Sequence, residues 1–306
     1  MKKYCLVYGC CVIDKAKYMA TDKSSESFGG KGGNQAVALS RAGVNTVLLS
    51  VLSSAKEEKK DTKRHLKNLK KNKINTKYLG YNDKFKNDVT FVTVDKNGNN
   101  SFKEEISMSS NFSVEYIRKN EEVIKNASIV LLQMKVPIET TREIIKICKK
   151  NGVKTILTPC RIEKTKANAD ILEDIDFITC NENEARMIFT NSSKLKMSEL
   201  DDVLKKYPNK LIVTLGGKGV RFFDGKKIVF EKSLKVDNVL DTTGAGDTFA
   251  GNLAEAIFNG KSLQEAVRRG ICASTIKIQT IGTQTGMPYK KQRDLLYNKT
   301  YGGTNL

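Results

Sequence analysis

From Val114 onward, short apolar runs alternate with amphipathic stretches, and few architectures accept that pattern. The apolar runs Ile129 to Met134, Lys154 to Thr158, Phe177 to Cys180 and Lys210 to Thr214 read as strands. Helical patterns begin between them, near Glu139, Ala167, Glu182 and Ser198. Strands separated by helices form βαβ units, which implies a mostly parallel, doubly wound sheet with helices on both faces. Ligands of such sheets sit at the carboxyl ends of the strands. Asp14, Lys135, Asn181 and Gly216 all fall just beyond segments read as strands, so distant parts of the chain converge on one site.

Upstream, Tyr4 to Gly9 reads as a strand ending in a turn through Asp14, and Lys15 to Glu26 is polar without clear periodicity. Phe28 to Gln35 is a glycine-rich loop feeding an alanine-rich helix. Asn45 to Leu52, Thr76 to Tyr81, Val89 to Asp95 and Ser101 to Ile106 read as strands, the last two joined by Asn97-Gly98, a hairpin signal. Lys218 to Phe223 and Lys226 to Glu231 form a hairpin around Asp224-Gly225, and helices Ala245 to Phe258 and Ser262 to Lys277 follow. With 306 residues and no repeat or low-complexity linker, a single domain is expected.

Composition narrows the chemistry. The seven cysteines (Cys5, Cys10, Cys11, Cys148, Cys160, Cys180, Cys272) form no CxxC pair, and His65 is the one histidine, which argues against a Cys/His zinc site and against Ser-His-Asp catalysis. The net charge of +19 raises nucleic-acid binding, but the basic residues are spread over helical faces without interleaved aromatics. Such a field also attracts anionic substrates. No apolar run is long enough to span a bilayer and no signal peptide is evident, so a cytoplasmic protein with small-molecule partners is expected, without membrane or nucleic-acid partners.

The most chemically pointed stretch is Asp241-Thr242-Thr243-Gly244-Ala245-Gly246-Asp247-Thr248-Phe249-Ala250-Gly251. It opens a helix, whose first N–H groups and dipole attract anions. Gly244 and Gly246 carry no side chain where a phosphate would approach the backbone. Asp247 adds a carboxylate that would repel a resting phosphate and suits a base acting on an attacking hydroxyl. By itself this is also a capped helix start.

Read together, Phe28 to Ala38 (FGGKGGNQAVA), Asn181 to Glu184 (NENE), Thr214 to Val220 (TLGGKGV) and Asp241 to Gly251 resemble the ribokinase-like (PfkB-type) carbohydrate kinases over nearly the whole chain. The resemblance implies a three-layer α/β/α fold with a small, shortened β lid at about 14–28 and 88–107. It implies an ATP-dependent sugar kinase acting on a primary hydroxyl, with D-ribose the nearest named acceptor. Asp247 is then the catalytic base, and Gly244, Ala245 and Gly246 are the anion hole. Asn181 and Glu184 organise Mg²⁺ and phosphate through water, while Thr214, Gly216 and Gly219 form the nucleotide-binding turn. Asp14, Gly30, Lys31 and Asn34 belong to the sugar side. Asp241 and Thr243, with carbonyls around Ile278, Ile281 and Gly282, are expected to hold K⁺, although Gly286 stands where the family pattern often has serine.

The sugar side departs from the family pattern. Val12 replaces an asparagine, and Lys135 replaces an acid that accepts hydroxyl hydrogens. Ser53 to Glu58 replaces a G-D-D-x-x-G segment. Three placements are open to Lys135: paired with Asp14, against an anionic group of a different substrate, or in solvent. Two alternatives therefore stand beside ribose: another acceptor (a nucleoside, or an acidic or phosphorylated sugar), and a catalytically silent ligand-binding regulator. Dimers of this family pair through the lid, so the shortened lid leaves both a monomer and a homodimer open.

Overall fold

The computed structural model describes residues 3–18, 23–94, 100–160, 169–190 and 194–302. In chain order the strands are β1 (Cys5–Tyr8), β2 (Val12–Tyr18), β3 (Lys23–Gly29), β4 (Thr46–Leu49), β5 (Val51–Ser53), β6 (Gly80–Asn82), β7 (Asp88–Val94), β8 (Asn100–Glu105), β9 (Ile129–Gln133), β10 (Lys154–Thr158), β11 (Phe177–Asn181), β12 (Leu211–Thr214), β13 (Gly219–Phe223) and β14 (Ile228–Lys232). The helices are α1 (Lys31–Arg41), α2 (Lys59–Lys71), α3 (Val114–Lys119), α4 (Glu121–Lys125), α5 (Ile138–Asn151), α6 (Ala169–Asp174), α7 (Glu182–Phe189), α8 (Met197–Lys206), α9 (Ala245–Phe258), α10 (Leu263–Lys277) and α11 (Lys290–Tyr301).

Eight strands form the main sheet in the order β14-β13-β12-β11-β10-β9-β1-β4. All pairings from β12 to β4 are parallel, and β12-β13-β14 is antiparallel at one end. Side chains alternate across the pleat, so each face builds its own core. Leu6, Leu132 and Leu157 pack with Ile144, Ile171 and Leu200 of the helices on one face. Val7, Leu131 and Ile156 pack with Leu39, Leu253 and Val267 of α1, α9 and α10 on the other. These two cores make the three layers expected from strand–helix alternation. Among the described residues, no helix is long and apolar enough to cross a membrane.

The N-terminal third differs from the sequence reading. Val12–Tyr18 and Lys23–Gly29 are antiparallel strands, and with β7 and β8 they form a separate four-stranded sheet, β3-β2-β7-β8. Lys15, Lys17 and Ser24 to Glu26 are polar and partly or fully exposed, so neither strand carries an apolar alternation. Asp14 accordingly lies within β2 rather than in a turn after β1, and Lys31 to Gln35 are already helical. Asn45 to Leu52 breaks at Ser50 into β4 and β5, and β5 pairs with β6. Asn97, Gly98 and the helix start near Ala167 lie outside the described residues.

Candidate active site

A cavity of about 780 Å³ opens between the carboxyl end of the main sheet and the four-stranded sheet. Its wall brings together Asp14, Gly30, Lys31, Asn34, Lys135, Asp241, Thr243, Gly244, Asp247, Ile281 and Gly282. Segments more than 200 residues apart thus meet at one place, because α1 and α9 pack side by side on the same sheet face.

Asp247 lies in the first turn of α9 and is 5% exposed. A buried carboxylate requires hydrogen-bond donors, and two chains of carboxamides supply them. Asn34 Nδ2 donates to Oδ2 at 2.9 Å, and Gln35 Nε2 donates to Oδ1 at 3.1 Å. Behind Asn34, Gln284 Nε2 donates to its Oδ1 at 3.0 Å, and Asn68 Nδ2 donates to Gln284 Oε1 at 2.9 Å. Behind Gln35, Gln133 Nε2 donates to its Oε1 at 2.8 Å. Asn34, Gln35 and Gln284 each accept at one end and donate at the other, so each chain fixes the orientation of the next member and both Asp247 oxygens. Gln35, Gln133, Gln284 and Asn68 escaped the sequence reading. Gln35 alone carried a usable signal, lying next to Asn34 in the glycine motif.

Gly244 caps α9 in the left-handed region, with φ 78° and ψ 5°, and a Cβ there would lie 2.7 Å from Thr283 Cγ2. The helix then starts at Ala245, whose N–H donates to the Thr242 carbonyl at 3.1 Å, and Gly246, whose N–H has no intrahelical acceptor four residues back. Gly29 has a comparable steric role: a Cβ there would come within 2.1 Å of an Asp14 carboxylate oxygen.

On the acceptor side, burial pushes the Asp14 carboxyl up to about 6, against hydrogen bonds from Thr283 and Thr90 that lower it; the Asp247 charge raises it further. Burial disfavours the Lys31 ammonium, but Cys160, Asp247 and Glu184 outweigh it and hold that amine above its usual range. Lys135 pairs with Glu104 of β8 rather than with Asp14 or solvent, and it lines the cavity, where an anionic acceptor group could still meet it. Val12 is buried and lines the same cavity, offering no polar side-chain atom. Burial pushes the Cys10 and Cys11 thiols up to about 12 and lowers His65 to about 4, leaving all three uncharged at neutral pH. All seven cysteines are free and buried.

The remaining expected residues stand outside the cavity wall. Asn181 ends β11 and caps α7, and its side chain and that of Glu184 form a reciprocal capping box with both bonds at 2.9 Å. Asn181 and Thr214 are register partners on adjacent parallel strands. Gly216, with φ 57°, sits in the turn beyond β12, and a Cβ on Gly219 would overlap the Glu231 carbonyl oxygen at 2.1 Å. They form a second cluster at the same end of the sheet, joined to the first through the charge of Glu184 on Lys31.

The loop expected to hold K⁺ is densely bonded by the protein itself. Asp241 Oδ1 accepts from Thr243 N and Oδ2 from Gly282 N, both at 2.8 Å. The Ile278 carbonyl accepts from Leu240 N at 2.8 Å and Asp241 N at 3.2 Å. The fully buried Lys277 donates its ammonium to the Asp241 carbonyl at 2.7 Å.

A glycine-capped helix start, a carboxylate fixed in its first turn and a cavity at the sheet's carboxyl end define an α/β phosphotransferase. Residues 2–290 match the pfkB family carbohydrate kinases, and the chain belongs to that family. A ribokinase of Lactococcus lactis is 35% identical over 262 residues, covering 85% of this chain and 82% of the relative. A ribokinase of Bacillus subtilis is 32% identical over 264 residues, covering 86% and 85%. The fold is shared with Arabidopsis thaliana ribokinase complexed with ribose and ATP, at a TM-score of 0.82, 24% identity and coverage of 97% and 99%. It is shared equally with a Burkholderia thailandensis nucleoside kinase in complex with inosine, at a TM-score of 0.81, 18% identity and 97% of each chain.

Proposed function

We propose that this protein is an ATP-dependent sugar kinase that transfers the γ-phosphoryl group to a primary hydroxyl, with D-ribose as acceptor. The observation that carries the reading is the placement of Asp247. Its carboxylate is buried at the anion-attracting start of α9, with both oxygens held by carboxamides, in the cavity that also contains Asp14. Asp247 takes the proton of the attacking hydroxyl, and the Gly246 N–H at the start of α9 meets the charge that develops on the transferred group. Asp14 and Asn34 orient acceptor hydroxyls, and Lys31 offers a positive charge to the phosphoryl group in transit. Asn181, Thr214, Gly216 and Gly219 hold the nucleotide at the neighbouring strand ends.

Among the described residues no group of three or more His, Cys, Asp or Glu could cage a metal ion. That donor set suits Mg²⁺ held chiefly by phosphates and water, with Glu184 reached through water. When bound, Mg²⁺ neutralises phosphate charge. The four-stranded sheet acts as the lid, since Asp14, Thr90 and Glu104 line the cavity from it. Seven free cysteines support a reducing, cytoplasmic setting.

A panel of acceptors with ATP consumption as readout tests the reading, with ribose expected to turn over fastest and to yield ribose 5-phosphate. A nucleoside acceptor is the second reading, favoured by Val12, Ala16, Val92 and Ile106, which give the cavity an apolar side suited to a base. A nucleoside outpacing ribose by tenfold or more in kcat/KM would replace the first reading with the second.

A further inference from the structure

We propose that the ammonium of Lys277 serves as the built-in monovalent cation of this protein, so that the loop supporting the anion hole works without K⁺. The inference rests on the kinase reading only for what that loop supports; the cation question itself concerns the loop's own bonding.

Lys277 is the last residue of α10, next to Ile278, and is completely buried. A buried ammonium needs acceptors, and this one has them within the segment where K⁺ is expected. It donates to the Asp241 carbonyl at 2.7 Å and lies 3.8 Å from the Asp241 carboxylate. The short donor distance is that of a charge-assisted hydrogen bond. It also sits at the negative end of the α10 dipole, where a cation is favoured.

Two of the expected cation ligands, Asp241 and the Ile278 carbonyl, are already committed. Both Asp241 carboxylate oxygens accept backbone N–H groups, from Thr243 and Gly282, and the Ile278 carbonyl accepts two more. No side chain can be added at Gly286: a Cβ there would lie 2.7 Å from the Lys277 carbonyl oxygen and 2.8 Å from Thr280 Cβ. The residues present therefore do not fit a K⁺ cage, in which several carbonyl and side-chain oxygens must turn toward one ion. They fit a protein cation, with one positive charge held beside Asp241.

The consequence is a preassembled loop. Lys277 to Asp241, Gly282 to Asp241 and Leu240 to Ile278 tie the 239–244 segment to the end of α10. Ser274 Oγ adds a bond to the Ala245 carbonyl at 2.9 Å, directly on the first residue of α9. Lys277 is thus a positioning residue for the start of α9.

The test compares thermal unfolding of the full-length protein in KCl and in tetramethylammonium chloride at equal ionic strength, beside ATP turnover in the same two salts. The native protein should unfold at the same temperature in both and turn over ATP equally fast. Lys277→Met should unfold earlier in tetramethylammonium, recover part of the loss in KCl, and regain at least threefold of its lost turnover there. A purely structural lysine gives no recovery selective for K⁺. A K⁺-dependent rise in unfolding temperature or a twofold rise in rate for the native protein overturns the proposal, whether or not Lys277→Met folds. Absence of turnover with every acceptor would remove the kinase reading, while the unfolding comparison would still decide the cation.

Discussion

The start of α9 and the four-stranded sheet face each other across one cavity, but they are built in opposite ways. Around Asp247 both carboxylate oxygens are held by buried amides, backed by further amides from α2, β9 and the segment after α10. The four-stranded sheet is largely polar and half-exposed, with the ion pair Lys135–Glu104 at its edge. Fixed geometry suits the end where charge develops in the transition state, because preorganised donors need no rearrangement as the reaction proceeds. A looser wall suits the end that selects and releases an acceptor. Acceptor identity should therefore vary through the sheet while the phosphotransfer end tolerates almost no change.

The largest effect should come from breaking the rigid end at its centre. Asp247→Ala removes the proposed base and is expected to lower kcat by about 10²–10⁴-fold with little change in ATP affinity. Steady-state kinetics with nucleotide titration checks this, and near-normal kcat would refute the assignment. Next in size is Gln35→Ala, which leaves Asp247 in place but frees one of its oxygens. A hydrogen bond to a charged group contributes about 1.5–3 kcal/mol, so kcat should fall by about 10- to 100-fold. A drop in KM-linked binding with unchanged kcat would show that Gln35 serves the acceptor instead.

Asp14 tests the looser end. Its carboxyl is raised to about 6 by burial, so between about pH 4 and pH 6 the folded protein holds a proton that the unfolded chain has lost. The sign follows: Asp14 makes the fold less stable as pH rises through that window, and its destabilising contribution is fully present above pH 6. Asp14→Asn should consequently be as stable as the native protein at pH 7 or more so, while its acceptor KM rises by about tenfold. Above pH 6 the ionised Asp14 accepts hydroxyl hydrogens, so native acceptor KM should rise as pH falls below 6, an inflection missing in Asp14→Asn. A pH series of kcat/KM beside thermal unfolding reads both.

The same contrast explains what the sequence disclosed. The strand–helix alternation after Val114 was legible because parallel strands buried on both faces are continuous apolar runs, such as Ile129 to Gln133. Asp247, Gly244 and Asn34 were legible because glycine turns at helix starts leave short, ordered motifs. β2 and β3 were expected only through the resemblance, as part of the lid, since their many polar residues carry no apolar period. Gln133, Gln284 and Asn68 were hidden: a lone amide has no pattern, and only folding brings these three to Asp247. Lys277 was marked only as the end of the helix from Ser262, and its complete burial is a property of tertiary packing.

The smallest effect belongs to Lys135. Its side chain and that of Glu104 are each about a third exposed, at 30% and 35%, and such pairs contribute about 0–1 kcal/mol. Lys135→Ala should therefore shift unfolding by less than a few degrees and leave kcat unchanged. What it should alter is the acceptor side, because Glu104 is left as an unpaired negative charge on the cavity wall. Neutral acceptors should change KM by about threefold or less, whereas an acidic or phosphorylated acceptor should lose more, from the missing cation and the exposed carboxylate together. Comparing KM for ribose and for a phosphorylated sugar in Lys135→Ala and in the Lys135→Ala/Glu104→Ala pair separates those two contributions. Equal KM changes for both acceptors would mean that Lys135 serves only to fasten β8 beside the end of β9.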